Sequence, residues 1–470
     1  MLGLIPVGEA TVLKEGYEAM GHDVIIVGGG SAGLGAARQA VTLGAKPVLV
    51  SDGPIGGDCT WTGCVPSKTL IARSRAGFTF PDAIADVHRA IQKIADHESA
   101  DVLRSEGIDV VEGRGEIVGK GRVSVGDMQL SADSVVLATG SRAAMPPIPG
   151  LDEVAGVLTN ETLFDLVVMP PRLGIIGGGA IGCEMAMAFA GFGSEVSIFE
   201  GSDRLLPNEE PEASAVIERT MAELGVAVTT GSFVDSVSRT SAGIEVQVGG
   251  NTTTVDALLV AAGRVPNTGG LGLDRFDVAM EKSGHVKVDE KLRTDAEWLY
   301  AAGDVTGLLP FTHSADEQAR LAVSHALGKG TRWKYDPSTT PWTTFTRPEV
   351  ARVGVLEREA PTGSKVVEFP LSLVDRAITD GRTDGFVKLI SAPRRLTRGV
   401  AGGKLVGATI VADRAGEMIH APTMAVRLGM FVGRLAQVTV PYPTYATAVQ
   451  QAAGAFFQPV AGVTARPARR

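Results

Sequence analysis

The chain has 470 residues, 44% of them hydrophobic and 21% charged, which is too long for one ordinary core and asks for roughly two to four domains. Its formal net charge of −9 excludes a nucleic-acid partner from the expectation, since a phosphate backbone would be repelled. No apolar run reaches the roughly 20 residues that a membrane span needs, so no membrane partner is expected either.

Residues 1–19 carry acidic side chains and no clean apolar core. They read as an N-terminal extension rather than a secretion signal. The run HDVIIVGGGSAGLGAARQA (22–40) is an apolar strand, a glycine turn and an alanine-rich helix. Gly28, Gly30 and Gly33 fit GxGxxG, and Ser31 and Ala32 open the helix. Such glycines allow a tight turn and let a pyrophosphate approach the helix N-terminus. The next strand, KPVLVSDG, places Ser51 where an acid would meet the ribose, with Asp52 beside it.

The stretch GGDCTWTGCVPSKTL (56–70) holds Cys59 and Cys64. Three readings compete: a redox pair, a metal site and two small core hydrophobes. Four intervening residues are wrong for a zinc knuckle, and no second ligand pair exists. Three cysteines without a secretion signal suit a reducing cytoplasm, where a close pair is more often catalytic than structural. Gly56 and Gly57 let the backbone lie close to a ring system. A helix opening near Cys59 and Cys64 favours a thiolate, and Lys68 adds a cation. A redox-active pair beside a flavin accounts for the whole stretch. Pro66 makes the helix irregular, Trp61 shapes access to Cys59, and His88 and His97 lie on a solvent-facing amphipathic helix.

VVLATGSRAAMPPIPG (135–150) is a strand exit carrying Thr139 and Gly140, closed by prolines. The fingerprint then recurs in RLGIIGGGAIGCEMAMAFAGFGSEVSIFE (172–200), with Gly177, Gly179, Ile181 and Gly182 at the turn, and Glu184 on the helix. Two fingerprints predict two dinucleotide domains. Cys183 reads as a packing residue. Glu200, at the end of the second strand, accepts a ribose 2′-OH and repels a 2′-phosphate, which favours NADH; Arg204 keeps NADPH open. LLVAAGRVPNTGG (258–270), with Gly263, matches the first exit. YAAGDV, with Gly303 and Asp304, returns to the first domain, and His313 opens a helix. The expected boundaries are 20–150, 151–270, 271–340 and 341–460, then a frayed basic tail over 461–470. The expected fold is α/β: two Rossmann-like dinucleotide-binding domains plus a C-terminal α+β domain.

With GGDCTWTGCVPSK, LATG, AAGRVPN, YAAGDV and PYPTYATAVQQAAGAFF added to the two fingerprints, the chain resembles the class I flavoprotein pyridine nucleotide–disulfide oxidoreductases over nearly its whole length. The resemblance implies FAD in the first domain, NAD(P)H in the second, and a C-terminal dimerisation domain. It implies a homodimer whose active site, shared between subunits, takes a small-molecule substrate, in the cytoplasm that the cysteine usage suggests. It implies that Asp304 binds the ribitol-phosphate region of FAD and that Lys68, at the flavin edge, pairs with Glu184. It also implies that electrons pass from NAD(P)H by way of FAD to a Cys59–Cys64 disulfide, Cys64 lying nearer the flavin and Cys59 facing outward.

Disulfide reductases of this family end in His-Pro-Thr with a Glu a few residues on. Here VPYPTYATAV puts Tyr442 in place of the His and Thr447 in place of the Glu, and no His follows His420. A phenol with a pKa near 10 is a poor proton shuttle, so glutathione-type turnover is expected to suffer by about 10²–10⁴. The mercuric reductase branch also carries a Tyr in this setting, yet the sequence holds no further cysteine pair to hand in Hg²⁺. The expectation is an FAD-dependent NAD(P)H oxidoreductase that uses a Cys59–Cys64 disulfide. It passes two electrons to or from a non-standard acceptor: a soft metal ion, a quinone, an oxidised small molecule or a specialised disulfide. Two other readings stand beside it: a flavin-only diaphorase or oxidase with idle cysteines, and a non-catalytic FAD-binding redox sensor. Tyr442 is either a catalytic residue or a packing residue at the dimer seam. No metal-ligand set is read from the sequence.

Overall fold

The computed structural model describes residues 21–329, 332–393 and 402–469; the expected extension over 1–19 lies outside them. The chain divides into two compact units. Of the described residues, one unit takes those up to Gly57 with those of Ala95–Ser141 and Pro266–Tyr335; the other takes Asp58–Ile94, Arg142–Val265 and those from Asp336 on.

In the first unit the strand Val24–Val27, VIIV, is buried at every position, as a central parallel strand covered on both faces must be. It lies between Pro47–Ser51 and Ser134–Leu137, with Val24 opposite Pro47 and Ser134. Asp109–Glu112 and Leu299–Ala301 complete the five-stranded sheet at its two edges. Helices Ser31–Thr42 and Thr312–Ala326 cover one face through small residues such as Ala36, Ala40, Ala319 and Ala322. A three-stranded antiparallel sheet, Gly115–Gly119, Arg122–Val125 and Met128–Ser131, covers the other with Ile117, Val123 and Leu130.

The second unit repeats the parallel sheet, in the order Ala227–Thr229, Glu195–Phe199, Arg172–Ile176, Ala257–Val260, Val157–Leu158. Its fingerprint helix, Ala180–Phe192, is apolar on most of its surface and is accordingly enclosed. The cysteine segment supplies part of that enclosure. Helices Cys64–Arg75 and Phe80–Ala95 pack there, and the Phe80 ring centroid lies 5.6 Å from that of Phe189 and 5.5 Å from that of Phe192.

The C-terminal part forms a six-stranded antiparallel sheet: Trp342–Thr344, Glu349–Gly354, Lys404–Ala412, Phe386–Ala392, Lys365–Pro370, Arg466–Pro467. Helices His420–Arg427, Val432–Gln437 and Ala446–Gly454 pack into its core. The last strand corrects an expectation. The basic end is not frayed: Lys365 stands opposite Pro467, and Arg466 grips both carboxylate oxygens of the buried Glu357. The composition of the tail shows its charge but not the carboxylate waiting for it. Among the described residues no helix is long and apolar enough to cross a membrane.

Candidate active site

The first fingerprint is a close-packed turn. A Cβ on Gly33 would lie 1.8 Å from the Gly28 carbonyl oxygen, and one on Gly57, whose φ is +58°, would lie 2.7 Å from Gly30 Cα. The cysteine motif therefore begins with its backbone pressed against the fingerprint. Gly30 caps the helix Ser31–Thr42 without a side-chain hydrogen bond, so the first-turn amides of Ser31, Ala32 and Gly33 suit a phosphate. Ser51 is buried and its hydroxyl donates to the Gly53 carbonyl at 2.9 Å, while Asp52 beside it is exposed.

The two strand exits of this unit are held in place by hydrogen bonds. Thr139 Oγ1 donates to the Asn267 carbonyl at 2.8 Å, Asn267 Nδ2 donates back to the Thr139 carbonyl at 3.0 Å, and the Asn267 amide donates to the Gly140 carbonyl at 3.0 Å. Asp304 Oδ2 accepts from the Ser141 hydroxyl at 2.6 Å. The Gly303 amide donates to the buried Gln318 Oε1 at 2.9 Å; Gln318 Nε2 donates to Ser314 Oγ at 3.0 Å, and Ser314 Oγ is 2.8 Å from the Tyr335 hydroxyl. Gln318, Ser314 and Tyr335 thus fix the Gly303–Asp304 turn, a role that no sequence motif announced. His313 sits in the first turn of its helix, its ring stacked 5.8 Å from Phe311.

The second fingerprint has the same shape, with Gly177, Gly179 and Gly182 in the turn and Ile181 half exposed at the second position of its helix. Glu200 reaches over it. Its carboxylate accepts from the Gly178 amide at 2.6 Å and the Ser202 amide at 2.7 Å. The Arg204 guanidinium is turned to the Pro207 and Glu209 carbonyls, at 2.7 and 3.3 Å. The Gly263 carbonyl accepts from the Ala144 amide at 3.0 Å. Cys183 is a buried packing residue whose thiol donates to the Gly178 carbonyl; burial pushes that thiol up.

The cysteine segment is two helices, Gly57–Trp61 and Cys64–Arg75, parted at Thr62 and Gly63. Pro66 is third in the second helix, where its missing N–H costs nothing. Cys59 is half-buried and Cys64 is exposed at the first helical position. Trp61 packs its ring against the core. Lys68 lies one turn after Cys64 on the same face. Its Nζ is 2.8 Å from Glu184 Oε2 and 4.7 Å from the Phe345 ring centroid. Glu184 is only 4% exposed, and its other oxygen accepts from the Phe345 amide at 2.8 Å. Phe345 joins the site from the C-terminal part, a partner that motif reading missed.

Tyr442 is 74% exposed and its hydroxyl donates to Asp375 Oδ2 at 2.9 Å. That hydrogen bond and the carboxylate charge raise the phenol above its ordinary value. The Thr447 hydroxyl is buried without a hydrogen-bond partner among the described residues, so it does not take over the orienting task of a Glu. Asp375, which no motif marked, orients Tyr442 instead.

The comparisons with known proteins agree on one family. Residues 22–322 match the model of the pyridine nucleotide-disulphide oxidoreductase domain, and 340–453 match the dimerisation domain of the same family. The chain is 32% identical over 455 residues to a mercuric reductase of Bacillus cereus, covering 92% of this chain and 71% of that protein. It is 35% identical over 467 residues to an NAD(P)H dehydrogenase (quinone) of Mycobacterium tuberculosis, covering 92% and 93%. The Cu(II) complex of the HOCl-induced flavoprotein disulfide reductase RclA of Escherichia coli superposes with a TM-score of 0.84 at 29% identity, covering 93% and 99%. The family is FAD-dependent and draws on NAD(P)H, and its dimerisation domain supports a homodimer. An enzyme is thereby indicated rather than a non-catalytic sensor. The chain belongs to the class I pyridine nucleotide-disulfide oxidoreductase family.

Proposed function

We propose that this enzyme uses Cys59 and Cys64 as its redox pair and delivers electrons from NAD(P)H to a soft, thiol-binding metal ion rather than to a glutathione-like disulfide. One observation carries the reading: at the position where a disulfide reductase of this family holds its imidazole stands Tyr442, with its O–H turned to Asp375. A phenol so held is a still weaker acid than usual and does not protonate a departing thiolate at neutral pH. A metal ion held by two thiolates has no thiol leaving group to protonate. Two relatives support this choice, the one named mercuric reductase and the one solved as a Cu(II) complex.

In this reading Gly28, Gly30, Ser31, Ala32, Gly33, Ser51, Asp52, Gly57, Thr139, Gly140, Gly303 and Asp304 hold FAD. Gly177, Gly179, Ile181, Gly182, Glu200 and Gly263 hold the nicotinamide coenzyme, with NADH preferred. FAD, when bound, supplies the chemistry that couples a hydride donor to a disulfide. The Glu184 carboxylate, 2.8 Å away, holds the Lys68 side chain in place. The Cys59–Cys64 bond opens on reduction, and Cys59 is the thiol that meets the substrate. Tyr442 reaches the site of the partner subunit. The overall reaction balances as NAD(P)H plus a divalent ion giving NAD(P)⁺, the ion reduced by two electrons, and a proton; an ion that takes one electron is consumed twice per turnover. Thiol chemistry of this kind suits the cytoplasm.

A quinone acceptor is the second reading, favoured by the Mycobacterium tuberculosis relative's name. The test is an NADH- and NADPH-driven screen of the FAD-loaded enzyme with Hg²⁺, Cu²⁺, quinones, lipoamide and glutathione disulfide, run with Cys59→Ser and Cys64→Ser alongside. The proposal expects metal reduction that either substitution abolishes. Quinone reduction that survives both substitutions would assign the flavin-only reading, and vigorous glutathione disulfide turnover would overturn the argument from Tyr442.

A further inference from the structure

Asp58 precedes Cys59 in the first helical turn, and both of its carboxylate oxygens are engaged. Oδ1 accepts from Asn160 Nδ2 at 3.1 Å and from the Thr62 hydroxyl, while Oδ2 accepts from the Arg264 guanidinium. The Asp58 carbonyl also accepts from the Thr62 amide at 3.0 Å, and Asn160 Nδ2 reaches the Thr62 carbonyl at 3.4 Å. Gly63 closes the turn. A Cβ there would lie 2.8 Å from the Asp58 carbonyl oxygen and 3.4 Å from Cys59 Cα. The six residues from Cys59 to Cys64 are therefore folded back onto Asp58. Two residues far away in the sequence, Asn160 and Arg264, hold the carboxylate from outside. The Arg264 side chain is 20% exposed and that of Asp58 36%, so this ion pair is half-buried.

We propose that Asp58, with Arg264 and Asn160, is a positioning residue that sets the redox poise of the Cys59–Cys64 pair. The inference rests on those cysteines being the redox pair proposed above. On reduction the S–S bond breaks, and two electrons and two protons yield two thiols. Oxidation by oxidised dithiothreitol is the reverse. One protein thiolate opens the dithiothreitol disulfide to a mixed disulfide. The second thiolate attacks the protein sulfur of that bond, forming the Cys59–Cys64 bond and expelling the electron pair on dithiothreitol, which leaves as the dithiol. Ring closure is intramolecular, so the equilibrium depends on the effective concentration of one sulfur at the other. A loop tied at Thr62 and Asp58 cannot swing open after reduction. The clamp raises that effective concentration, favours the disulfide, and makes the dithiol the stronger reductant. A loop free to open costs closure entropy each time the disulfide re-forms.

The experiment equilibrates the FAD-loaded protein, without NAD(P)H, in mixtures of oxidised and reduced dithiothreitol. Thiol trapping and mass spectrometry then read the fraction carrying the Cys59–Cys64 disulfide. Asp58→Asn and Arg264→Gln should each shift the equilibrium toward the dithiol by about tenfold, equivalent to roughly 30 mV. The double variant should shift little further, since both act through one contact. Asn160→Ala, which leaves the ion pair intact, should shift it in the same direction by less; it keeps the test available if a charge variant folds poorly. Equilibrium constants within twofold of the parent in every variant, or shifts that simply add, would overturn the clamp. A parent protein that forms no Cys59–Cys64 disulfide would overturn the clamp together with the reading of the pair, whereas the choice of acceptor does not enter this measurement.

Discussion

Lys68 Nζ lies between the Glu184 carboxylate, 2.8 Å away, and the face of Phe345, 4.7 Å from its centroid. Glu184 is buried and needs that cation. Replacing Lys68 by Met leaves the carboxylate with the Phe345 amide alone. Urea unfolding should show a loss of about 1–3 kcal/mol, the range for stranding a buried partner. With Lys68 at the flavin edge, as proposed, anaerobic bleaching of the bound flavin by NADH should slow by roughly 10²-fold, the cost of removing a fixed charge from a reacting centre. Phe345→Leu keeps the ion pair and should cost only about 0.5–1 kcal/mol.

Lys388 is 0% exposed, yet four carboxylates surround its ammonium: Glu212 at 2.8 Å, Glu357 at 3.2 Å, Glu210 at 3.3 Å and Glu368 at 3.5 Å. Burial works to discharge it, but the Glu212 hydrogen bond and the neighbouring negative charges outweigh burial and hold the ammonium above its ordinary value. Lys388→Met removes the charge at similar length and leaves the carboxylates facing one another. The expected loss is about 3–5 kcal/mol, read as a lower urea midpoint at unchanged slope.

Glu357 gives that cluster a pH signature. Burial opposes its ionisation, but hydrogen bonds from Arg466, from the Arg469 amide and from Lys388 prevail and hold it at about 2. A carboxyl depressed in the folded state contributes stability above its unfolded value, about 4.3, and loses that contribution as pH falls toward the folded value. Arg466→Gln should therefore lower the melting temperature most at pH 6, with the gap to the parent shrinking between about pH 4 and pH 2. A gap independent of pH would assign Arg466 a packing role only.

Much of this architecture was legible because glycine spacing and apolar strands are local signals. Gly28, Gly33, Gly177 and Gly182 announce two turns that no larger residue fits, and YAAGDV announces the strand that rejoins the first sheet. What stayed hidden depends on pairs far apart in sequence. Arg264 stood in a quoted motif and Asp58 in another, yet nothing local says that they meet. Asp375, Phe345 and Gln318 carry no motif of their own, because the group each one serves arrives only through tertiary packing. The basic tail is the same case in reverse, since its composition looks solvated until Glu357 is placed under it.

In the proposed assignment of the coenzyme site, Glu200 sets coenzyme choice; its carboxylate accepts from the Gly178 and Ser202 amides while Arg204 is turned to the Pro207 carbonyl. A 2′-phosphate there would meet an anion, with the Arg204 guanidinium engaged elsewhere. Initial-rate kinetics should give a higher kcat/KM for NADH than for NADPH. Glu200→Gln keeps an acceptor for the ribose and removes the repulsion, so the NADPH-to-NADH ratio should rise about tenfold, or roughly 1.4 kcal/mol in the barrier difference. A parent enzyme that prefers NADPH would show that Glu200 does not face the ribose.

Tyr442 offers the converse experiment, a gain rather than a loss. Its O–H points at Asp375 Oδ2 from 2.9 Å, so an imidazole put in its place has a carboxylate at hand to accept one ring N–H and hold the other nitrogen outward. With a pKa near 6.5, such a group donates and recovers a proton at neutral pH where the phenol does not. Tyr442→His should raise turnover of glutathione disulfide by at least tenfold, a fraction of the 10²–10⁴ that acid–base catalysis supplies. Reduction of Hg²⁺ or Cu²⁺ should gain nothing, because no thiol leaves. The Tyr442→His, Asp375→Asn pair should lose most of the gain, since the imidazole is then no longer oriented. Equal stimulation of disulfide and metal turnover would mean that the residue at 442 controls access to the cysteines instead of their protonation.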